Sequence, residues 1–273
     1  MVKKVWAVYY SGTKTTQKIV SLIGKTIAGI LGVPLQTYDF SRPVMREGDL
    51  YFTEEDFVVF GSPTYAGRLP NVMLPYIETI QGEQTPALPV VLYGSRAYDD
   101  ALMEWKTVLQ KNGFRIVGAA AFIGAHAMSK TLAKGRPDAK DCQIAKQFAE
   151  QVAEKLQGKQ IAPENCLVPG REPVGAYYTP LGTDEKPVRF LKAKPVTSDA
   201  CHDCKKCVLL CPMGSISEEN PRDITGICIK CGACVKLCPN HAKTFTDEAL
   251  LSHVAYLESH YGKERKEPEL FLN

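Results

Sequence analysis

The sequence predicts two units: an α/β doubly wound five-stranded parallel sheet over residues 1–157, and a small cysteine-built α+β domain over residues 199–246. Three observations carry this reading. Short apolar runs alternate with amphipathic helical stripes through the first half, as strands covered by helices on both faces require. Loops rich in small and hydroxyl-bearing residues follow the first, third and fourth of those runs. Finally, eight of the ten cysteines crowd between Cys201 and Cys238.

The strand candidates are Lys4–Tyr10, Pro34–Phe40, Asp56–Gly61, Pro89–Gly94 and Ile116–Ile123, each short and rich in Val, Tyr, Phe or Ala. Between them Ile19, Leu22, Ile23, Ile27, Ile30 and Leu31 recur at helical spacing. So do Met73, Tyr76, Ile77 and Ile80, then Ala101, Leu102, Trp105, Val108 and Leu109, and finally Ile144, Phe148, Val152 and Leu156. Trp105 falls on such a stripe and reads as core. Residues 158–198 form a connector in which Pro163, Pro169, Pro173, Pro180, Pro187 and Pro195 exclude long helices. Its Tyr177, Tyr178, Leu181, Phe190 and Leu191 are apolar enough to pack on a domain. Residues 247–273 read as a C-terminal helix and tail, with Leu250, Val254 and Leu257 on one face and Lys263–Glu267 solvated.

Composition excludes several classes. With 273 residues, 45% hydrophobic and 23% charged, the chain holds enough apolar material for a core and is not of disordered type. No apolar run reaches the roughly 20 residues of a membrane-spanning helix. The Val5–Tyr10 run is too short for an export signal, so a cytoplasmic protein is expected. A net charge of +3 does not suggest nucleic-acid binding.

Cys201, Cys204, Cys207, Cys211 and Pro212 spell C-x2-C-x2-C-x3-C-P, and Cys228, Cys231, Cys234, Cys238 and Pro239 repeat it. Disulfides fit poorly, since cysteines so close in short loops pair badly and no export signal accompanies them. Structural zinc uses C-x2-C pairs but not a third cysteine in register followed by C-P. Thiolates at this spacing wrap corners of a cuboidal iron–sulfur cluster. Cys142 and Cys166 stand outside the motifs as ordinary thiols. His202 and His241 sit beside ligand cysteines, on the expected surface.

Over residues 199–246 the chain resembles bacterial two-[4Fe–4S] ferredoxins. The resemblance implies one-electron transfer and crossed ligation: one cluster on Cys201, Cys204, Cys207 and Cys238, the other on Cys228, Cys231, Cys234 and Cys211. Ile216, Ile224, Ile227 and Val235 are expected to pack around the clusters, which stand in for a core.

After the first strand come Ser11, Gly12, Thr13, Lys14, Thr15 and Thr16, then a helix; hydroxyls and backbone N–H groups converging there make a phosphate site. There is no G-x-G-x-x-G and no G-x-x-x-x-G-K-[ST], which removes dinucleotide and P-loop readings. The third strand ends in Gly61, Ser62, Pro63, Thr64, Tyr65, Ala66, Gly67 and Arg68, and the fourth in Gly94, Ser95, Arg96, Ala97, Tyr98, Asp99 and Asp100. Each loop offers small residues and one aromatic ring, and the two rings are expected to sandwich a flat heterocycle. Arg68 and Arg96 are candidates for a cation near that heterocycle, and His126 for a wall of its pocket.

These loops resemble the flavodoxin phosphate loop and its two isoalloxazine loops, with Ser11, Thr13 and Thr16 matching S/T-x-T-x-x-T and Lys14 standing where many flavodoxins have glycine. The resemblance implies a flavodoxin-like fold and bound FMN. The whole chain looks like a flavodoxin–ferredoxin fusion, an electron-transport protein carrying FMN and two [4Fe–4S] clusters. No residue is assigned a catalytic role. Three functions follow: a relay to or from an external carrier such as a ferredoxin or flavodoxin, an FMN-dependent reductase fed by the clusters, or a redox sensor.

Overall fold

A computed structural model describes residues 1–158 and 166–272; Pro163 of the connector lies outside them. Five parallel strands form the centre: β1 (Lys4–Tyr9), β2 (Leu35–Asp39), β3 (Asp56–Pro63), β4 (Thr85–Tyr93) and β5 (Ala119–Ile123). Their spatial order is β2-β1-β3-β4-β5, the doubly wound order of flavodoxin-type sheets, with a switch point between β1 and β3.

Alternation along each strand sends residues to opposite faces. Val5, Ala7, Tyr9, Phe57, Val59, Val90 and Phe122 pack under α1 (Thr15–Leu31) and, further along the chain, α4 (Ala139–Gln157). Val8, Tyr10, Val58, Phe60, Val91 and Ala121 pack under α2 (Leu74–Ile77) and α3 (Ala101–Lys111). Trp105 is fully buried there. The start of α4 is set by a capping box, in which Asp138 and Asp141 each accept the other's backbone N–H.

The strand elements differ from expectation in two ways. β4 begins at Thr85, because Pro86 and Pro89 are accommodated within a fully buried strand. The Ile116–Ile123 candidate divides: Phe114–Ile116 pairs with the start of β4, and only Ala119–Ile123 runs as β5. The Met73–Ile80 stripe yields the single turn of α2, which has Pro75 near its start.

In the cysteine-rich part, α5 (Lys206–Leu210) and α6 (Ala233–Lys236) follow the first cysteines of each motif, and α7 (Glu248–Tyr261) comes after. The charged stretch Lys263–Glu267 is largely exposed, as expected, but it is tied to the first unit. Residues Glu269–Phe271 form β6, which adds antiparallel to β5 and makes the last strand of the first unit's sheet. Arg265 bonds Asp138, Lys140 donates to Glu267 at 2.7 Å, and Lys266 donates to the Arg96 carbonyl at 2.6 Å.

Candidate electron-transfer site

The two cysteine motifs repeat in backbone as well as in letters. Left-handed φ angles occur at Asp203 and Lys205 in the first, and at the equivalent Lys230 and Gly232 in the second. Ser215 N–H donates to Cys211 Sγ at 3.3 Å, and Ala242 N–H to Cys238 Sγ at the same distance. Among the described residues no three His, Cys, Asp or Glu side chains converge on a single ion. The thiols instead line two cavities. An outer one has Cys201, Cys204, Cys207 and Cys238 in its wall, with Lys205, Lys206 and Lys243. An inner one has Cys211, Cys228, Cys231 and Cys234, with Ile216, Ile224 and Ile227. Each cavity draws three thiols from one motif and its fourth from the other.

This donor set fits cuboidal iron–sulfur clusters. Burial pushes the Cys231 thiol up to about 12, and Cys234 also rises. Such buried groups become thiolate ligands only when a positive centre replaces the lost hydration. Cys142 and Cys166 lie outside both cavities, and Cys166 is buried with its thiol against the Phe271 carbonyl. His202 and His241 are exposed.

The inner cavity stands against the carboxyl edge of the sheet. A Cβ added to Gly12, in the loop after β1, would lie 3.2 Å from Cys231 Cβ and 3.3 Å from its carbonyl oxygen. Gly232 faces the Ala127 carbonyl, where a Cβ would sit at only 2.6 Å. This explains the glycine in the second repeat: the equivalent Lys205 is exposed and has room. Arg46 closes the contact, donating to the Phe40 and Ser41 carbonyls at 2.9 and 3.0 Å and to the Pro212 carbonyl at 2.6 Å. Lys236 of α6 donates to the Ser129 carbonyl.

The loop from Ser11 to Thr16 keeps the form of an anion cradle. Lys14 takes φ 70°, the left-handed conformation glycine would adopt without strain, and its ammonium lies 3.6 Å from Asp39. Ser11 Oγ accepts Gln17 N–H at 3.1 Å. Thr16 is 1% exposed and its hydroxyl has no hydrogen-bond partner, while the first N–H groups of α1 have none within the helix. Thr13 and Thr15 flank it, half-buried. An unpartnered buried hydroxyl in the first turn of a helix is the chemistry a phosphate satisfies.

The two loops beside it are arranged less symmetrically than the expected ring sandwich. Tyr65 is tied to Tyr10, the two hydroxyls 2.9 Å apart. Tyr98 turns the other way: it is buried against Tyr93, and its hydroxyl donates to Glu269 at 2.7 Å. The strand β6 supplies that acceptor, and so draws the ring away from Tyr65. Thr64 carries a second unpartnered buried hydroxyl. Of the remaining loop residues, Ser62 and Ser95 are buried, Ala66 is exposed at the rim, and Pro63, Gly94 and Ala97 are intermediate.

Arg68 and Arg96 are committed elsewhere. Arg68 is held by Glu104 at 2.9 Å and by the Gly175 carbonyl, and lies over Tyr177. Arg96 pairs with Asp99 and stacks 3.9 Å above Tyr178. The connector thereby straps both loops: Asp100 accepts Arg171 and Gly175 N–H, Tyr177 donates to the Leu69 carbonyl, and Tyr178 N–H donates to the Ala66 carbonyl. His126 lies over Gly94. Its Nδ1 accepts from the Met128 and Ser129 amides, and burial lowers its pKa to about 4. The ring is therefore neutral near pH 7 with its proton on Nε2.

Residues 200–243 match the 4Fe-4S dicluster domain family. Pyruvate synthase subunit PorD of Methanothermobacter marburgensis is 44% identical over 41 residues, 15% of this chain and 49% of that protein. The match thus spans about half of that relative. Two solved flavodoxins align over the first part. An archaeal flavodoxin is 17% identical, covering 57% of this chain and 99% of its own (TM-score 0.41). Oxidised flavodoxin 2 from Bacillus cereus is 18% identical, covering 56% and 99% (TM-score 0.41). The strand order defines the first unit as flavodoxin-like, and the motifs with the family match define the second. The chain thus joins a flavodoxin-like α/β unit to a 4Fe-4S dicluster domain, a combination that supports electron transfer. No helix among the described residues is long and apolar enough to cross a membrane.

Proposed function

We propose that this chain is an intramolecular electron relay, with FMN at the carboxyl edge of the sheet, one [4Fe–4S] cluster in the inner cavity and one in the outer. The observation that carries the reading is the contact of Gly12, in the phosphate-type loop, with Cys231 of the inner cavity. When bound, the clusters supply one-electron steps and FMN joins these to two-electron chemistry. Ser11, Thr13, Lys14, Thr15 and Thr16 would hold the phosphate. Ser62, Pro63, Thr64, Tyr65, Ala66 and Gly67 would form one wall of the ring site, and Gly94, Ser95, Arg96, Ala97, Tyr98 and Asp99 would support the other. Cys211, Cys228, Cys231 and Cys234 ligate the inner cluster; Cys201, Cys204, Cys207 and Cys238 the outer.

The relay is favoured over a reductase of small substrates because the connector straps both ring loops. A reductase needs an open flavin edge, and Tyr177, Tyr178 and Gly175 occupy that approach. The outer cavity is the port for a carrier: Cys204, Lys205 and Lys206 are exposed there, and an acidic ferredoxin or flavodoxin complements those lysines. The protein acts in this reading as a cytoplasmic partner of such a carrier.

Anaerobic rapid mixing with a reduced acidic ferredoxin tests the route. Cluster bleaching should precede flavin reduction, and the encounter should slow as salt rises. Flavin reduction at an undiminished rate in Cys234→Ser would overturn the relay.

A further inference from the structure

The internal repeat offers a comparison within one molecule. Both cavities share the same loop conformations and the same backbone donor to the C-P cysteine. Their linings differ, lysines at the outer cavity against isoleucines at the inner, and so do their neighbours from the rest of the chain. The inner cavity has a neighbour with no counterpart at the outer one: the tyrosine pair Tyr10 and Tyr65, edge to face with ring centroids 6.2 Å apart and hydroxyls 2.9 Å apart.

Tyr10 is fully buried at the end of β1. Its hydroxyl lies 3.6 Å from the Cβ position of Gly12, which is itself 3.2 Å from Cys231 Cβ. Two phenols that share one hydrogen bond still hold two protons. One bridges the pair, and the other must find an acceptor in a dry space. With a cluster bound, the sulfurs of the inner site, reached past Gly12 at Cys231, would be the anionic groups on that side.

We infer that the Tyr10–Tyr65 pair donates a hydrogen bond toward the inner cluster's sulfurs and holds that cluster's potential above the value its burial alone would give. A donor aimed at cluster sulfur stabilises the reduced, more negative core, whereas apolar burial disfavours it. Arg46, fixed between Ser41 and Pro212, adds a cation of the same sign of effect. Tyr65 orients Tyr10 and is a positioning residue. The consequence, that electrons entering at the outer site run downhill toward the sheet edge, rests on the relay reading; the hydrogen bond itself does not.

The test is an EPR-monitored redox titration of the full chain with clusters and flavin in place, comparing wild type with Tyr10→Phe, which keeps the ring and removes the hydroxyl. The inner cluster, assigned by its loss in Cys211→Ser, should become about tenfold harder to reduce, 59 mV for a one-electron couple, while the outer cluster holds. Pulsed EPR of the reduced protein in H2O and D2O should show one exchangeable-proton coupling lost in the variant. Tyr65→Phe should move the same cluster the same way by less, and it carries the test should Tyr10→Phe fail to load its inner cluster. Unmoved potentials in the loaded variants, or equal shifts of both clusters, would overturn the inference. So would weakened FMN binding at constant potentials, since the hydroxyl would then serve the flavin. A failure of the relay would appear in the rapid-mixing kinetics and leave this equilibrium shift intact.

Discussion

Replacing Thr16 with valine should move stability and flavin affinity in opposite directions. Thr16 is 1% exposed, its hydroxyl has no partner, and its methyl packs on Gly61, 2.9 Å from where a Cβ would stand. Valine keeps that methyl and replaces the hydroxyl with another of similar size. A buried, unsatisfied hydroxyl costs about 1–3 kcal/mol, so the flavin-free protein should gain roughly 1 kcal/mol on losing it. For a protein of this size that is a rise of about 2–4 °C in Tm. FMN binding should suffer instead. A hydrogen bond to a charged phosphate contributes about 1.5–3 kcal/mol, and each 1.4 kcal/mol is tenfold, so affinity should fall roughly 10–100-fold. Riboflavin, which lacks the phosphate, should bind both proteins alike. The measurements are a thermal melt of flavin-free, cluster-loaded protein and an equilibrium titration with each flavin. A destabilised variant with unchanged FMN affinity would refute the assignment, because Thr16 would then be a packing residue of α1 and no more.

Three further outcomes follow from the same geometry. Cys211→Ser should empty the inner site, although Cys211 belongs to the first motif, and iron and sulfide counts should fall by about half with the outer cluster's signal retained. Arg46→Met removes the bond to the Pro212 carbonyl and should lower the free energy of opening between the two units by roughly 1.5–3 kcal/mol, read as faster amide exchange at Met213–Ile216. Ending the chain at Gly262 removes β6, the Glu269 acceptor of Tyr98 and the Lys266 bond to Arg96. It should lower both Tm and FMN affinity without touching a predicted flavin residue, and an unchanged flavin titration would show that the tail does not support the ring loops.

The legible features were those whose physics is local. Hydrophobic spacing marked α1, α3 and α4, since a stripe facing a sheet must recur with the helix period whatever the sheet contains. Cysteine spacing marked the cavities, because short loops can place thiols in only a few ways. Features that depend on distant partners were hidden. Nothing in Lys263–Glu267 signals Asp138 and Lys140, which lie at the start of α4 more than a hundred residues away. Tyr98 reads as an available ring until Glu269 arrives to accept its proton. Arg68 and Arg96 read as cations near a ligand until Glu104, Asp99 and the connector tyrosines claim them. Arg46 carries no sequence signal at all, since a lone arginine in a turn is usually solvated. Gly232 did leave a trace: it breaks the repeat where Lys205 stands, and the break marks the face that docks on Ala127.

Position of the tail also decides what kind of protein the fusion makes. A cluster domain hung from a connector alone would sample many distances from the sheet, and electron tunnelling falls steeply with distance, so transfer would wait on chance encounters. Here the chain leaves the sheet after α4, builds the two cavities, and returns through β6 to the edge of β5. The dicluster segment is therefore anchored at both ends. Between the anchors, Arg171 and Asp100 pin the incoming connector, Ser129 bonds Glu258 of α7, and Arg136 meets the Lys266 carbonyl on the outgoing side. Closing a segment at both ends removes the entropy of a free linker once, during folding, rather than at each electron transfer. The contact between Gly12 and Cys231 is then a fixed property of the fold, and in the proposed relay only the docking of a carrier at the exposed Cys204 face would be left to encounter.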